Sequence, residues 1–180
     1  MKIKIKYKSV LKDFKNVKER NYAFNNLDKQ SQRLEIAWDA LNLIINDNVT
    51  PADGYYWGNE LRRKLELLNP KETQVFLLKE LNKDICKVCQ RGLMMVSQIR
   101  LGNELSSSKS KNIYEGDDDN IKGFSLKDFT RIEGEYECSD NSHPYFSHSK
   151  EKLANICCNI LVNGNFNKKD KTDYLIKSTI

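Results

Sequence analysis

The sequence predicts a mainly α fold, a single compact domain of five or six helices with a small β element near the N-terminus. Two observations carry this. Apolar residues recur at the 3.6-residue helical spacing through most of the chain, and the breaks between those runs coincide with capping or turn residues. Period-two alternation, the mark of a strand, is confined to the first eight residues. The 180 residues suit one domain that buries enough surface to fold without disulfide staples.

Met1-Lys-Ile-Lys-Ile-Lys-Tyr-Lys8 puts Ile3, Ile5 and Tyr7 on one face and lysines on the other, which predicts an edge strand guarded by charge. Val10, Phe14 and Val17 suggest a short helix. From Ser31 to about Asn46, the spacing of Leu34, Ala37, Trp38, Leu41 and Ile45 predicts a helix with Ser31 as its cap. Pro51 and Asp53-Gly54 form a turn, followed by the aromatic run Tyr55-Tyr56-Trp57. Leu61, Leu65 and Leu68 resume the helical period. Asn69-Pro70 opens another helix, since asparagine caps with its side chain and proline fits a first turn whose amide needs no partner. Val75, Leu78 and Leu81 are its expected buried row.

The next helix is read from about Asp84 to Leu101. It carries Cys86 and Cys89, stops at Gly102-Asn103 through a left-handed glycine cap, and is placed at the centre of the fold. Residues 106–120 are serine-rich, then acidic, and predict a mobile polar loop. Ser125 to Phe129 predicts a helical turn. Ser147 or Ser149 opens a last helix through Leu153, Ile156, Cys157, Ile160 and Leu161 to Asn163-Gly164, and a short element follows around Tyr174, Leu175 and Ile176.

The net charge of +5 conceals an uneven distribution. Residues 1–20 hold eight cations against two anions, a net +6, so the remaining 160 residues sum to −1. Attraction to nucleic acid would therefore rest on the N-terminal lysines Lys2, Lys4, Lys6 and Lys8. No apolar run approaches the roughly 20 residues of a membrane span, and no apolar signal core follows the basic N-terminus. The expectation is a cytoplasmic protein that does not engage membranes, with its five cysteines reduced.

Cys86-x-x-Cys89 is where reactive residue types and helical periodicity coincide. Three readings compete: a metal site, a redox pair and core packing. Zinc would need four sulfur or imidazole ligands, and the candidates are Cys86, Cys89, Cys138 and His143, with His148 as a further imidazole. The second group is spread too widely for a knuckle, whereas the row Ile85, Val88, Cys89, Gly92, Val96, Ile99 has the period of a buried face. Core packing is the leading reading, with Cys86 at the border of that face and Cys89 within it. A thiol nucleophile would need one of the two histidines as its base, and both lie in a polar segment. Asp117-Asp-Asp-Asn120 fails as an EF-hand loop, since Lys122 stands sixth and Asp128 twelfth. No phosphate-cradling glycine loop, His-Glu-x-x-His pair or Gly-x-Ser-x-Gly elbow appears, and no cofactor is expected.

Tyr55, Tyr56 and Trp57, with Arg62 and Arg63 in the helix that follows, combine aromatics with arginine, the residue types enriched where binding energy concentrates. A lid over the core is the leading reading of these aromatics, and a binding site the alternative. Ile36-Ala-Trp-Asp-Ala-Leu, Gly54-Tyr55, Cys86-x-Val-Cys-x-x-Gly92 and Ile99-Arg-Leu-Gly-Asn together resemble small bacterial and phage proteins of no assigned activity, over residues of roughly 31 to 103. The resemblance implies a bacterial or phage cytosolic setting and a cysteine motif that belongs to the fold. The expected function is non-enzymatic, stoichiometric binding to a host or bacterial protein or a small anionic ligand, inhibition of bacterial immunity being one specific form. The alternatives are a nucleic-acid-binding regulator and a zinc-dependent or thiol enzyme.

Overall fold

In the computed structural model, the described residues are 2–3, 5–51, 58–82, 84, 86–102, 121–136, 150–166 and 175–176. The element order is β1 (Lys2–Ile3), α1 (Val17–Asn25), α2 (Lys29–Ile45), β2 (Thr50–Pro51), α3 (Asn59–Glu66), α4 (Pro70–Lys79), β3 (Lys87–Val88), α5 (Gln90–Gly102), α6 (Leu126–Tyr136), α7 (Lys150–Asn163) and β4 (Leu175–Ile176). The chain is mainly helical, as its periodicity predicts. Among the described residues the β content is two small pairs: β1 runs antiparallel to β4, and β2 runs parallel to β3.

α2 is the spine. Its first turn is capped by Asp28, whose carboxylate accepts from the amides of Gln30 and Ser31, and not by Ser31 as expected. Ser31 instead donates its hydroxyl to Asp28 at 2.5 Å, so the cap lies three residues earlier and the helix starts sooner. Ile36, Ala37, Ala40, Leu41, Leu43 and Ile44 are buried, a band wider than one stripe because helices cover α2 on more than one side. α7 lies antiparallel to it. Arg33 near the start of α2 donates to the Gly164 carbonyl beyond the end of α7 at 3.1 Å, and Lys150 at the start of α7 pairs with Asp47 past the end of α2. Gly164, at φ +74°, ends α7 in the left-handed conformation that glycine adopts freely.

α5 also runs antiparallel to α2. Arg100 near its end pairs with Asp39 midway along α2, while β3 just before α5 pairs with β2 just after α2. Eleven of its thirteen residues are buried, so this helix is central, as expected. Its start differs from the expectation, and its end is reached for a different reason. Cys86 to Cys89 lie outside the helix, because Lys87 and Val88 are drawn into the parallel pair with Thr50 and Pro51. At the other end Gly102 remains helical, and its role is close approach: a Cβ there would stand 2.8 Å from the Phe24 ring and 2.9 Å from Asn25 Oδ1.

The N-terminal region differs most. Residues 5–9 form no strand, yet burial alternates as expected: Ile5 and Tyr7 are half-buried while Lys6 and Lys8 are exposed. The helix expected around Val10 to Val17 begins only at Val17, where Asn16 caps it by accepting from the amides of Lys18 and Glu19. α4 starts as predicted, with Asn69 and Glu72 forming a reciprocal capping box. Of the expected row Leu81 is buried, just past the helix, but Val75 is 47% exposed, and α4 itself buries Thr73, Gln74, Phe76 and Leu77. Gln74 supplies the reason, since its amide donates to the Ile99 and Arg100 carbonyls and turns that side of α4 towards α5. The predicted turn at Ser125 extends into α6, started by Ser125 and Asp128, each of whose side chains accepts from the other's backbone amide. The expected 106–120 loop lies outside the described residues.

Candidate binding surface

Of the expected site residues, Arg62 and Arg63 are described; Tyr55, Tyr56 and Trp57 lie outside the described residues. α3 buries Leu61 and Leu65 and turns Arg62, Arg63 and Lys64 to solvent. These cations fall in the last turns of the helix, where positive charge suits the helix dipole. Arg62 Nε also meets Glu66 Oε1 one turn on, at 3.1 Å. The aromatic run is bounded by residues tied to one short stretch: the Thr50 amide donates to the Cys86 carbonyl at 2.9 Å, and the Gly58 amide to the Lys87 carbonyl at 2.6 Å.

The cysteine pair is structural in its surroundings. Cys86 is wholly buried and Cys89 is 7% exposed, the reverse of the order expected from the helical reading. Burial pushes the Cys86 thiol up to about 12, against a smaller opposing influence of Arg100. Cys89 directly precedes α5, and its Sγ accepts from the Gly92 amide at 3.5 Å, so it serves that helix as a cap. Cys157 and Cys158 are likewise free and buried. Their thiols are raised above the ordinary value by burial, that of Cys158 to about 12. A thiolate nucleophile needs the opposite shift. Cys138, His143 and His148 lie outside the described residues, among which no group of three His, Cys, Asp or Glu is placed to hold a metal.

Two buried polar clusters escaped the sequence reading. Glu35, 1% exposed on α2, accepts from the Tyr7 hydroxyl at 2.8 Å, the Ser9 hydroxyl at 2.6 Å and the Val10 amide at 2.8 Å. Tyr7 also packs its ring against Trp38, with centroids 5.6 Å apart. Burial and the bond to Glu35 both raise the Tyr7 pKa. The second cluster centres on Arg100. It reaches Asp39 at 2.9 Å and the Leu77 carbonyl at 2.5 Å, and its own carbonyl accepts from Arg20 at 2.8 Å. One residue thereby joins α1, α2, α4 and α5. Neither cluster has a local signature, because the partners stand 23 to 80 residues apart.

The Glu35 clamp has a surface consequence. It holds a segment in which Lys6, Lys8, Lys12, Lys15 and Lys18 are exposed. Compared with known proteins, the chain matches no family model, no curated protein and no solved structure. No helix among the described residues is long and apolar enough to cross a membrane.

Proposed function

We propose that this chain is a non-enzymatic binding protein of a bacterium or phage, cytoplasmic, acting by stoichiometric association with a host or bacterial protein or a small anionic ligand, with inhibition of bacterial immunity as one specific form. The observation that carries the reading is where the polar side chains go. Several of the buried ones serve the fold: Glu35 holds the N-terminal segment, Arg100 and Asp39 the helix junction, and the thiols of Cys86, Cys157 and Cys158 pack among apolar groups. The exposed ones form a recognition surface on α3, where Arg62, Arg63 and Lys64 stand over a buried leucine pair. Arginine presented from a rigid helix suits pairing with carboxylates or phosphates.

A nucleic-acid-binding regulator is the second reading, favoured by the exposed row Lys6 and Lys8 opposite half-buried Ile5 and Tyr7. Capture on the immobilised full chain from a bacterial lysate, followed by mass spectrometry for proteins and nucleotides, separates the two. The expected result is a protein or small-anion complex of fixed stoichiometry, lost when Trp57→Ala is combined with Arg63→Ala at unchanged melting temperature. Recovery of nucleic acid alone, with binding that falls steeply as salt is added and weakens on replacing Lys6 and Lys8, would put the second reading first.

A further inference from the structure

We propose that residues 5–10 form a strap that opens and closes over α2 as one unit, with the Glu35 carboxylate as its latch. Glu35 is 1% exposed, yet it stands on the outer side of its helix. Of its four neighbours one turn away, Ser31, Trp38 and Asp39 are half-buried and Gln32 is buried. What covers Glu35 is the strap. One carboxylate oxygen accepts from the Tyr7 hydroxyl and the Val10 amide, both at 2.8 Å, and the other from the Ser9 hydroxyl at 2.6 Å. All three donors are neutral, and all three belong to the strap.

Among the described residues, no backbone-to-backbone hydrogen bond is made by residues 5–10. Ile5 and Tyr7 are only half-buried, Lys6, Lys8 and Val10 are exposed, and the Tyr7 ring meets that of Trp38 with centroids 5.6 Å apart. A firm apolar anchor comes at Leu11, whose side chain is buried and whose carbonyl closes a turn with the Phe14 amide at 3.2 Å. The other end follows β1, which is paired with β4. The strap is thus tethered on both sides and tied between them to one residue. A segment with little buried apolar surface and no ladder opens at lower free energy than the helices it lies on. Opening also strands no charge, because Glu35 then meets water on the outer side of α2 and escapes the penalty of an unpaired buried carboxylate. The two states present different surfaces. Closed, the strap holds Lys6 and Lys8 outward and keeps Trp38 half-buried; open, it releases the cationic pair and bares the indole beside a carboxylate.

This device is independent of which surface binds a partner, and hydrogen exchange of the full chain, followed amide by amide, tests it. Val10 and Leu11 report the strap, since the Val10 amide is bonded to Glu35 and the Leu11 amide to the Ser9 hydroxyl at 3.1 Å. Leu41 in α2 and Leu93 in α5, both fully buried, report global opening. In the parent protein, Val10 and Leu11 should share one level of protection, about a hundredfold below that of Leu41 and Leu93. Their exchange should barely respond to low urea, because little surface is exposed when the strap lifts, whereas that of Leu41 should rise steeply. Tyr7→Phe keeps the ring beside Trp38 and touches neither reporter's own bond, yet it should speed both about tenfold by removing one tie of the latch. Glu35→Gln should speed both at least as much. Val10 and Leu11 matching Leu41 in protection and urea response would overturn the strap as a separate unit. So would a Tyr7→Phe protein in which neither amide, or only one of them, exchanges faster.

Discussion

Cys86 and Cys89 show how one misplaced helix boundary inverts the expectation for two residues. Read as one continuous helix, the motif puts Cys89 on the buried face and Cys86 at its border, so serine at position 89 would do the greater harm. The structure reverses the order. Serine at 86 would bury a hydroxyl where the thiol is fully enclosed, at a cost of about 1–3 kcal/mol. Serine at 89 would sit where the side chain already accepts from the Gly92 amide, and serine is a favoured residue for that task. Urea denaturation of the two variants should rank Cys86→Ser well below Cys89→Ser; the opposite order would restore a helix through the motif. Burial of the cysteines was legible from their apolar neighbours. The short parallel pair that breaks the helix was not, because its partner is Thr50-Pro51, more than thirty residues away. Glu35 was illegible for the same reason, since a charged residue inside a helical pattern reads as a solvated one until its three donors are found.

At the scale of elements, cap chemistry was the most legible signal and helix phase the least. Asn69-Pro70 announced α4, and Asn163-Gly164 announced the end of α7, because a cap is settled by three or four consecutive residues. The rotation of α4 about its own axis is settled by what it packs against, and Gln74 bonding to the end of α5 outweighs the apolar row of Val75 and Leu78. The end of α5 was placed correctly and explained wrongly. Gly102 is there because α1 lies against it, so alanine would push into the Phe24 ring and the Asn25 side chain. Gly102→Ala should cost about 1–3 kcal/mol, as overpacked sites do. The matching sign of a shifted α1 would be faster amide exchange at Phe24 and Asn25 than in the parent protein. Unchanged stability and exchange would mean that α1 gives way freely at this point.

Over the whole molecule, the mainly α class and the central place of α5 were legible, because many helical turns vote on them together. The interlocking of distant segments was not. Arg100 joins four helices and Glu35 fastens the N-terminal segment to α2. The buried thiols make stability depend on alkaline pH. Unfolded, each ionises near the ordinary value of 9.0, whereas folded Cys86 and Cys158 hold their protons up to about 12, Cys157 is raised as well, and Tyr7 is raised above its ordinary value of 10.0. The folded state therefore binds more protons than the unfolded one above pH 9, and its stabilisation is full below that point and lost as pH climbs towards 12. Melting temperature should hold between pH 7 and 8.5 and fall steadily from 9 to 11, and less steeply in Cys158→Ala; a flat profile would show these thiols reaching solvent. The pairing of β2 with β3 carries a different implication. Pro51 and Gly58 flank the aromatic run, and each lies beside the Lys87-Val88 dipeptide, Pro51 in register with Val88 and Gly58 bonded to the Lys87 carbonyl. Both ends of the 52–57 interval are thus moored to one dipeptide, so a change that dislodges Lys87-Val88 would release both at once.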